Sequence, residues 1–312
     1  MARRKKRLHW GLIITLSLVI CACLAVTFGS KFDLPFSIPT WSDIGSHLGI
    51  KPKTVEGEQP VTIHFIDVGQ GDSTLIKAYD KNILIDAGEN DKGDLVVNYL
   101  KQQGVEKLDV LVSTHPHSDH IGGLDVVVKE MDVGKILAPK IPEAILPTTR
   151  SYTDFLQAVI DKGMKIQSPK PGDVIDFGHS KLEVVGPTAE FDDLNNISLV
   201  MKFVVGDVSV LLTGDAEKDS ESDMLLKKAD LKANILKVGH HGSNTSSTKK
   251  FIQAVGATDY VICCGRENSY HHPHAKTLET IKKFNGKVYR TDLNGTIVYS
   301  TDGKSFSVKT QL

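Results

Sequence analysis

Thr114-His115-Pro116-His117-Ser118-Asp119-His120-Ile121-Gly122-Gly123 sets three histidines and an aspartate close together in the chain. The stretch follows LDVLVST, an apolar run that reads as a strand, and precedes a helical pattern over Gly122–Met131. Such a strand end is where open α/β sheets present ligands. In an extended loop His115 and His117 alternate, so both imidazoles point one way. Asp119 and His120, at the turn that follows, face a second position nearby. Neutral imidazole and carboxylate are ligands suited to zinc, manganese or iron.

The other histidines bunch as well. Of 12 in the chain, eight fall into three groups: His115, His117 and His120; His240 and His241; His271, His272 and His274. Between the first two groups, LLTGDAE ends a strand at Asp215 beside Gly214. A lone strand-ending Asp before a helix is usually a cap; in company with the histidine loop it reads as a carboxylate that bridges two cations. LKVGHHGSNTSS ends another strand at His240-His241, of which one is expected to be a ligand and the other to support it or face substrate. Ser243, Asn244 and Thr245 follow near a helix start, a setting that suits an anion. In SYHHPHAKTLETIK, His272-Pro273-His274 enters a further helix.

Working outward, VTIHFIDV, STLIKA and NILIDAG read as strands, and Asp94–Gln103 carries a helical period. KILAP, KIQSP, KLEVVGP, ISLVMKFVV and VSVLLTGD read as strands around a helix over Tyr152–Lys162. Helices over Glu217–Lys228, Thr248–Val255 and Thr277–Phe284 alternate with ANILKVG and YVICC, and KVYR, TIVYS and FSV close the chain. Hairpins mixed with helices over about 250 residues predict an α/β sandwich with helices covering sheets.

At 312 residues, with 40% hydrophobic and 24% charged, the chain can bury a sizeable core. The first 31 residues hold six bases (Arg3, Arg4, Lys5, Lys6, Arg7, Lys31) and no acid. Setting those aside leaves 31 basic against 38 acidic residues, a formal charge of −7 that argues against a broad grip on nucleic acid phosphates. Cys21, Cys23, Cys263 and Cys264 suggest no disulfide framework. MARRKKR precedes an uncharged apolar run from Trp10 to about Gly29, close to the ~20 residues that cross a bilayer. A secretory signal has a shorter apolar region, about 7–15 residues. Residues 1–30 are therefore expected to be an uncleaved single-pass anchor, with a cleaved signal and secretion as the alternative. The positive-inside rule leaves Arg3–Arg7 in the cytoplasm and places the body outside. Residues 31–60, with Pro35, Pro39, Pro52 and Pro60, read as a linker with one amphipathic turn around Trp41–Leu48.

Taken in order, FIDVGQGDS, LIDAGEN, STHPHSDHIGGL, NNISLVMKF, LLTGDAE, LKVGHHGSNTSS and YHHPHAKTLE resemble the metallo-β-lactamase superfamily. More narrowly, they are similar to the hydrolase domain of ComEC-type competence DNA-uptake channels, here standing alone behind one anchor. The likeness covers about residues 61–312. It implies an αββα four-layer sandwich with a site for two divalent ions, zinc or manganese, at one edge of the sheets. His115 and His117 would bind one ion, Asp119, His120 and His240 the other, and Asp215 would bridge them. Asp86 would fix the histidine loop without touching metal. Most of the superfamily carries a further histidine before the strand leading to the bridging acid. This chain has Asn195-Asn196-Ile197-Ser198 there, so the first ion is expected to bind more weakly and to rely on water, Asn196 or Ser198. His179, between the two motifs, is expected to be exposed in a turn.

Two such cations lower the pKa of a shared water and hold a substrate oxygen, which suits in-line attack on phosphorus. Asp119 and Asp215 are expected to hold that water. His272, with His274, would contact the phosphate or protonate the leaving oxygen, His241 and Ser243 would contact substrate, and Gln70 and Asp72 would line the pocket. The expected function is an extracytoplasmic metal-dependent phosphodiesterase or nuclease acting on DNA, with the membrane and a DNA-uptake channel as partners. The alternatives are a phosphodiesterase on another cell-surface substrate such as phosphorylcholine, and a non-catalytic scaffold stabilised by metal.

Overall fold

A computed structural model describes residues 61–312. The expected anchor at 1–30 and the linker at 31–60 lie outside the described residues. Among the described residues no helix is long and apolar enough to cross a membrane. The strands are β1 (Val61–Phe65), β2 (Thr74–Ala78), β3 (Lys81–Ile85), β4 (Lys107–Leu108), β5 (Val110–Val112), β6 (Asp132–Val133), β7 (Ile136–Leu137) and β8 (Ile166–Gln167) in the first half. The second half adds β9 (Val174–Asp176), β10 (Ser180–Gly186), β11 (Val200–Val205), β12 (Val208–Leu212), β13 (Ile235–Lys237), β14 (Asp259–Ile262), β15 (Lys287–Arg290), β16 (Ile297–Thr301) and β17 (Phe306–Thr310). One sheet has the order β17-β16-β1-β2-β3-β5-β7-β8, the other β15-β14-β13-β12-β11-β10-β9, and β4 pairs with β6 alone.

The two sheets lie face to face because their strands are apolar on alternate residues in both directions. Ile76, Ile83, Ile85, Val110 and Val112 meet Met201, Phe203, Val210, Leu212 and Ile235 in the inner core. Their neighbours Leu75, Leu84 and Leu111 face outward onto α1 (Gly93–Gln102), α2 (Ser118–Ile121), α3 (Leu124–Glu130) and α4 (Arg150–Asp161). On the other sheet Val200, Leu211 and Leu236 face α5 (Lys218–Leu226), α6 (Lys249–Val255) and α7 (Ala275–Lys282). A strand with helices on one side and a second sheet on the other is buried on both faces, which is why these strands read as near-continuous apolar runs. The result is the α/β sandwich that the alternation predicts.

Topology then places the chemistry. β3, β5, β7 and β8 are mutually parallel, as are β12, β13, β14 and β15. The carboxyl ends of β3, β5, β12 and β13 lead directly into Asp86, His115, Asp215 and His240-His241. Two local readings change. The helical pattern over Gly122–Met131 is carried by α3 alone, and a further short helix, α2, precedes it; the two are separate because the N–H of Gly123 donates to the Gly88 carbonyl at 3.1 Å. ISLVMKFVV forms a strand only from Val200, since Ser198 N–H turns back to Asn195 O and Leu199 N–H donates to Thr114 O.

Candidate metal centre

Both ends of the first histidine loop are tied to one carboxylate. Asp86, just past β3 with φ 59°, accepts from Thr114 N at 2.8 Å and Thr114 Oγ1 at 2.6 Å, and pairs with His120 Nδ1 at 2.8 Å. With the proton on His120 Nδ1, its Nε2 presents a lone pair to the interior. The loop itself closes through Gly71, whose φ of 126° and contact with the Asp119 carbonyl leave no room for a Cβ. Asp72 N–H then donates to that carbonyl at 3.0 Å. At the loop's start, His115 Nε2 and His117 Nδ1 stand 3.0 Å apart. Two ring nitrogens come this close when a proton or a cation lies between their lone pairs.

The second half of the centre comes from β12 and β13. Asp215 is 2% exposed, and its backbone N–H donates to Ser198 Oγ at 3.1 Å. Its Oδ1 lies 3.2 Å from His120 Nε2; its Oδ2 lies 3.4 Å from His241 Nε2, 3.8 Å from His240 Nε2 and 3.9 Å from His115 Nε2. His240 and His241 both adopt left-handed backbone, φ 48° and 52°. Gly242 follows at φ 83°, where a Cβ would sit 2.6 Å from Pro273 Cβ, so glycine lets the HPH segment pack onto the turn. His241 Nδ1 donates to Cys263 O at 2.8 Å, which turns its Nε2 inward to 3.0 Å from Asp119 Oδ2 and 3.3 Å from His120 Nε2.

Beneath these groups Asp72, His120, Asp215 and His241 form a buried cluster with convergent ligand atoms. Asp72 approaches the outer Nδ1 atoms, of His241 at 3.3 Å and of His120 at 3.9 Å, and is neutralised by Lys237 Nζ at 2.6 Å. It therefore orients the imidazoles, while Asp119 and Asp215 face their inward nitrogens. Burial alone would push His120 down, yet the carboxylates of Asp215, Asp86, Asp72 and Asp119 hold it well above the usual histidine range. His241 is raised against burial by Asp215, Asp119 and Asp72. His115 is pushed well below that range by burial and by His120. Burial opposes ionisation of Asp119, but His120 and His241 hold it below the ordinary carboxylate range. Asp215 Oδ1 is buried with no hydrogen-bond partner. The carboxylates that hold positive charge on His120 and His241 would equally hold divalent cations once these rings give up their inward protons, so the donor set fits divalent cations.

The predicted residues separate into those brought together and those not. His115, His117, Asp119, His120 and Asp215 converge, and Asp86 supports the loop from behind. The histidine pair is exchanged relative to expectation: His241, 1% exposed, joins Asp119 and His120, whereas His240 lies at the rim beside Asp215. Asn196 and Ser198 are not open ligands. Asn196 Oδ1 accepts from Glu217 N and Ser220 N, its Nδ2 donates to Asp193, and Ser198 Oγ is taken by Asp215 N. Ser243, expected at substrate, is buried, and its hydroxyl bonds Thr245 Oγ1 at 2.9 Å. His274 Nδ1 accepts from Asn244 N at 2.9 Å, bracing the turn instead of reaching into the pocket. His272 does face the site. Its ring lies 5.5 Å from that of His240, its Nδ1 is buried without a partner, and burial with His241, His240 and His274 lowers its pKa to about 4. The lowered pKa favours the uncharged ring, which suits the first of its two expected roles, contact with the phosphate. Gln70 lines the same cavity, of about 310 Å³, and His179 is exposed as expected. Sequence reasoning missed Lys237 and Glu217. A lysine inside the apolar run ANILKVG and an acid two residues past Asp215 were the available signals.

Residues 66–266 match the metallo-beta-lactamase superfamily. The chain is 35% identical to ComE operon protein 3 of Bacillus subtilis over 78% of its length and 33% of that protein's. It is 30% identical to Competence protein ComA of Neisseria gonorrhoeae over 91% of its length and 38% of that protein's. Recombination protein 2 of Haemophilus influenzae is 30% identical over 74% of this chain and 28% of its own. The chain thus spans about a third of the length of the curated relatives it matches. Among solved structures, YhfI of Bacillus subtilis, a metallo-beta-lactamase fold protein, superposes with a TM-score of 0.51 at 15% identity, covering 74% of this chain and 96% of that one.

Proposed function

Because the chain belongs to the metallo-β-lactamase superfamily and gathers imidazoles and carboxylates around one buried acid, we propose that it is a metal-dependent phosphodiesterase that cleaves DNA outside the cytoplasm, held to the membrane by residues 1–30. The observation that carries this reading is Asp215, whose Oδ1 faces the inward nitrogen of His120 and whose Oδ2 faces those of His241, His240 and His115. A pair of divalent cations, when bound, supplies Lewis acidity toward a phosphoryl oxygen and acidifies a water. His115, His117, Asp119, His120, Asp215 and His241 would hold them. Asp119 and Asp215, both kept ionised by their imidazole neighbours, accept hydrogen bonds from an attacking water and orient it. Neutral His272 donates a hydrogen bond to a non-bridging phosphate oxygen from across the cavity.

DNA as substrate, and a DNA-uptake channel as partner, rest on the motif set and on relatives named as competence and recombination proteins. The charge of −7 on residues 32–312 and the 310 Å³ cavity favour a smaller phosphodiester, such as a phosphorylcholine ester, as the second reading. The deciding experiment incubates the detergent-solubilised full-length chain, with Mn²⁺ or Zn²⁺, with single-stranded DNA, double-stranded DNA, a chromogenic phosphodiester and a choline phosphodiester. DNA cleavage that disappears in Asp119→Asn is expected. Intact DNA beside turnover of a small ester moves the substrate to the second reading, and no turnover of any substrate leaves the scaffold.

A further inference from the structure

His240, expected beside Asp119 and His120, lies instead at the rim, and three observations give it a task there. Its Nε2 lies 3.8 Å from Asp215 Oδ2, nearly the same separation as His115 Nε2 at 3.9 Å. Two ligand atoms of one tetrahedral cation, each about 2.1 Å from it, are about 3.4 Å apart. Each rim nitrogen therefore lies close to that spacing from Asp215 Oδ2, the oxygen that His241 Nε2 also approaches, at 3.4 Å. Second, the outer nitrogen is fixed: His240 Nδ1 pairs with Glu217 Oε1 at 2.9 Å. Glu217 is itself held by Thr245 Oγ1 at 2.8 Å. A proton on Nδ1 leaves the lone pair on Nε2, aimed at Asp215. This is the arrangement Asp86 imposes on His120, and carboxylate backing of this kind characterises metal-ligating histidine. Third, the consecutive left-handed residues at 240 and 241 send the two rings apart, with centroids 6.1 Å from each other, so one chain turn brings two separate imidazoles to Asp215 Oδ2.

We infer that His240, oriented by Glu217, supplies the third imidazole of the first ion together with His115 and His117, and thereby stands in for the histidine absent at Asn195–Ser198. The assignment rests on the two-ion reading of the centre. Asn196 and Ser198 cannot take that place, since both are committed to backbone N–H groups. At 23% exposed, His240 leaves the first ion nearer to solvent than the second, whose imidazoles His120 and His241 are buried.

The test is equilibrium dialysis of the full-length chain against Mn²⁺ or Zn²⁺, with bound metal counted by elemental analysis. His240→Asn is the informative variant because asparagine tolerates left-handed backbone, and Glu217→Gln removes the orienting charge while keeping the shape. The wild type is expected to hold two ions, His240→Asn one, and His241→Asn to lose the other, tighter ion. Glu217→Gln should weaken the first ion by roughly 10- to 100-fold. A wild type and a His240→Asn variant that both hold two ions with the same affinities overturn the assignment while leaving the two-ion reading intact. A wild type that binds fewer than two ions sinks that reading and this assignment with it.

Discussion

The deep and rim halves of the centre are built from the same residue types and differ in how they are supported. In the deep half, His120 and His241 have their outer nitrogens fixed by Asp86 and Cys263 O, and Asp72 with Lys237 forms a buried ion pair behind them. In the rim half, His117 is partly exposed and His240 is backed by Glu217, itself partly exposed. Fixed, dry ligands hold an ion in one geometry, whereas a rim that water reaches exchanges its ion more readily. The same division runs through the loops. Asp86 ties down the first histidine loop using an imidazole partner, but Glu221 ties the segment after His240-His241 through neutral donors alone, the N–H groups of Ser247 and Thr248.

Asp215 is shared by both halves, so its loss should erase the difference between them. Asp215→Asn is expected to lower bound metal below one ion per chain and to cut phosphodiester turnover on the order of 10³-fold, about 4 kcal/mol. Elemental analysis beside a rate assay checks this, and one tightly retained ion would mean that the halves are independent.

Glu221 gives the next largest effect. Burial raises its carboxyl to about 7, against an ordinary value of 4.5. The folded state therefore binds the proton more tightly than the unfolded one. That contribution is fully present below about pH 4.5 and is lost as pH rises through 7, amounting to about 3 kcal/mol. Urea unfolding of wild type and Glu221→Gln across pH 4–8 should show the wild type losing this much relative to the variant. Parallel curves would show that Glu221 does not titrate in this range.

The smallest effect separates the halves most cleanly. Asp86→Asn keeps the shape that receives Thr114 but removes the charge behind His120, and should weaken the deep ion by roughly 10- to 100-fold with the rim ion less affected. Equal weakening of both ions would contradict the division.

Much of this was legible in the sequence because strand ends and histidine clusters are local signals. HPHSDH, Asp215 and the apolar alternation of β2, β3, β11 and β12 each announce themselves within a few residues. The choice between His240 and His241 did not, because it depends on two consecutive left-handed residues that no residue type there signals. Nor did the closure of Asn196 and Ser198, which follows from partners 17 to 24 positions away. Lys237 reads as an intruder in a strand until Asp72, from the turn between β1 and β2, is seen beside it.

The most direct test of the centre is a crystal structure of the Mn²⁺-loaded chain with anomalous difference density measured near the manganese edge. Two peaks flanking Asp215, one among Asp119, His120 and His241 and one beside His115 and His117, are the predicted result. A map with no peak at Asp215, or with a single ion held by other residues, would contradict it.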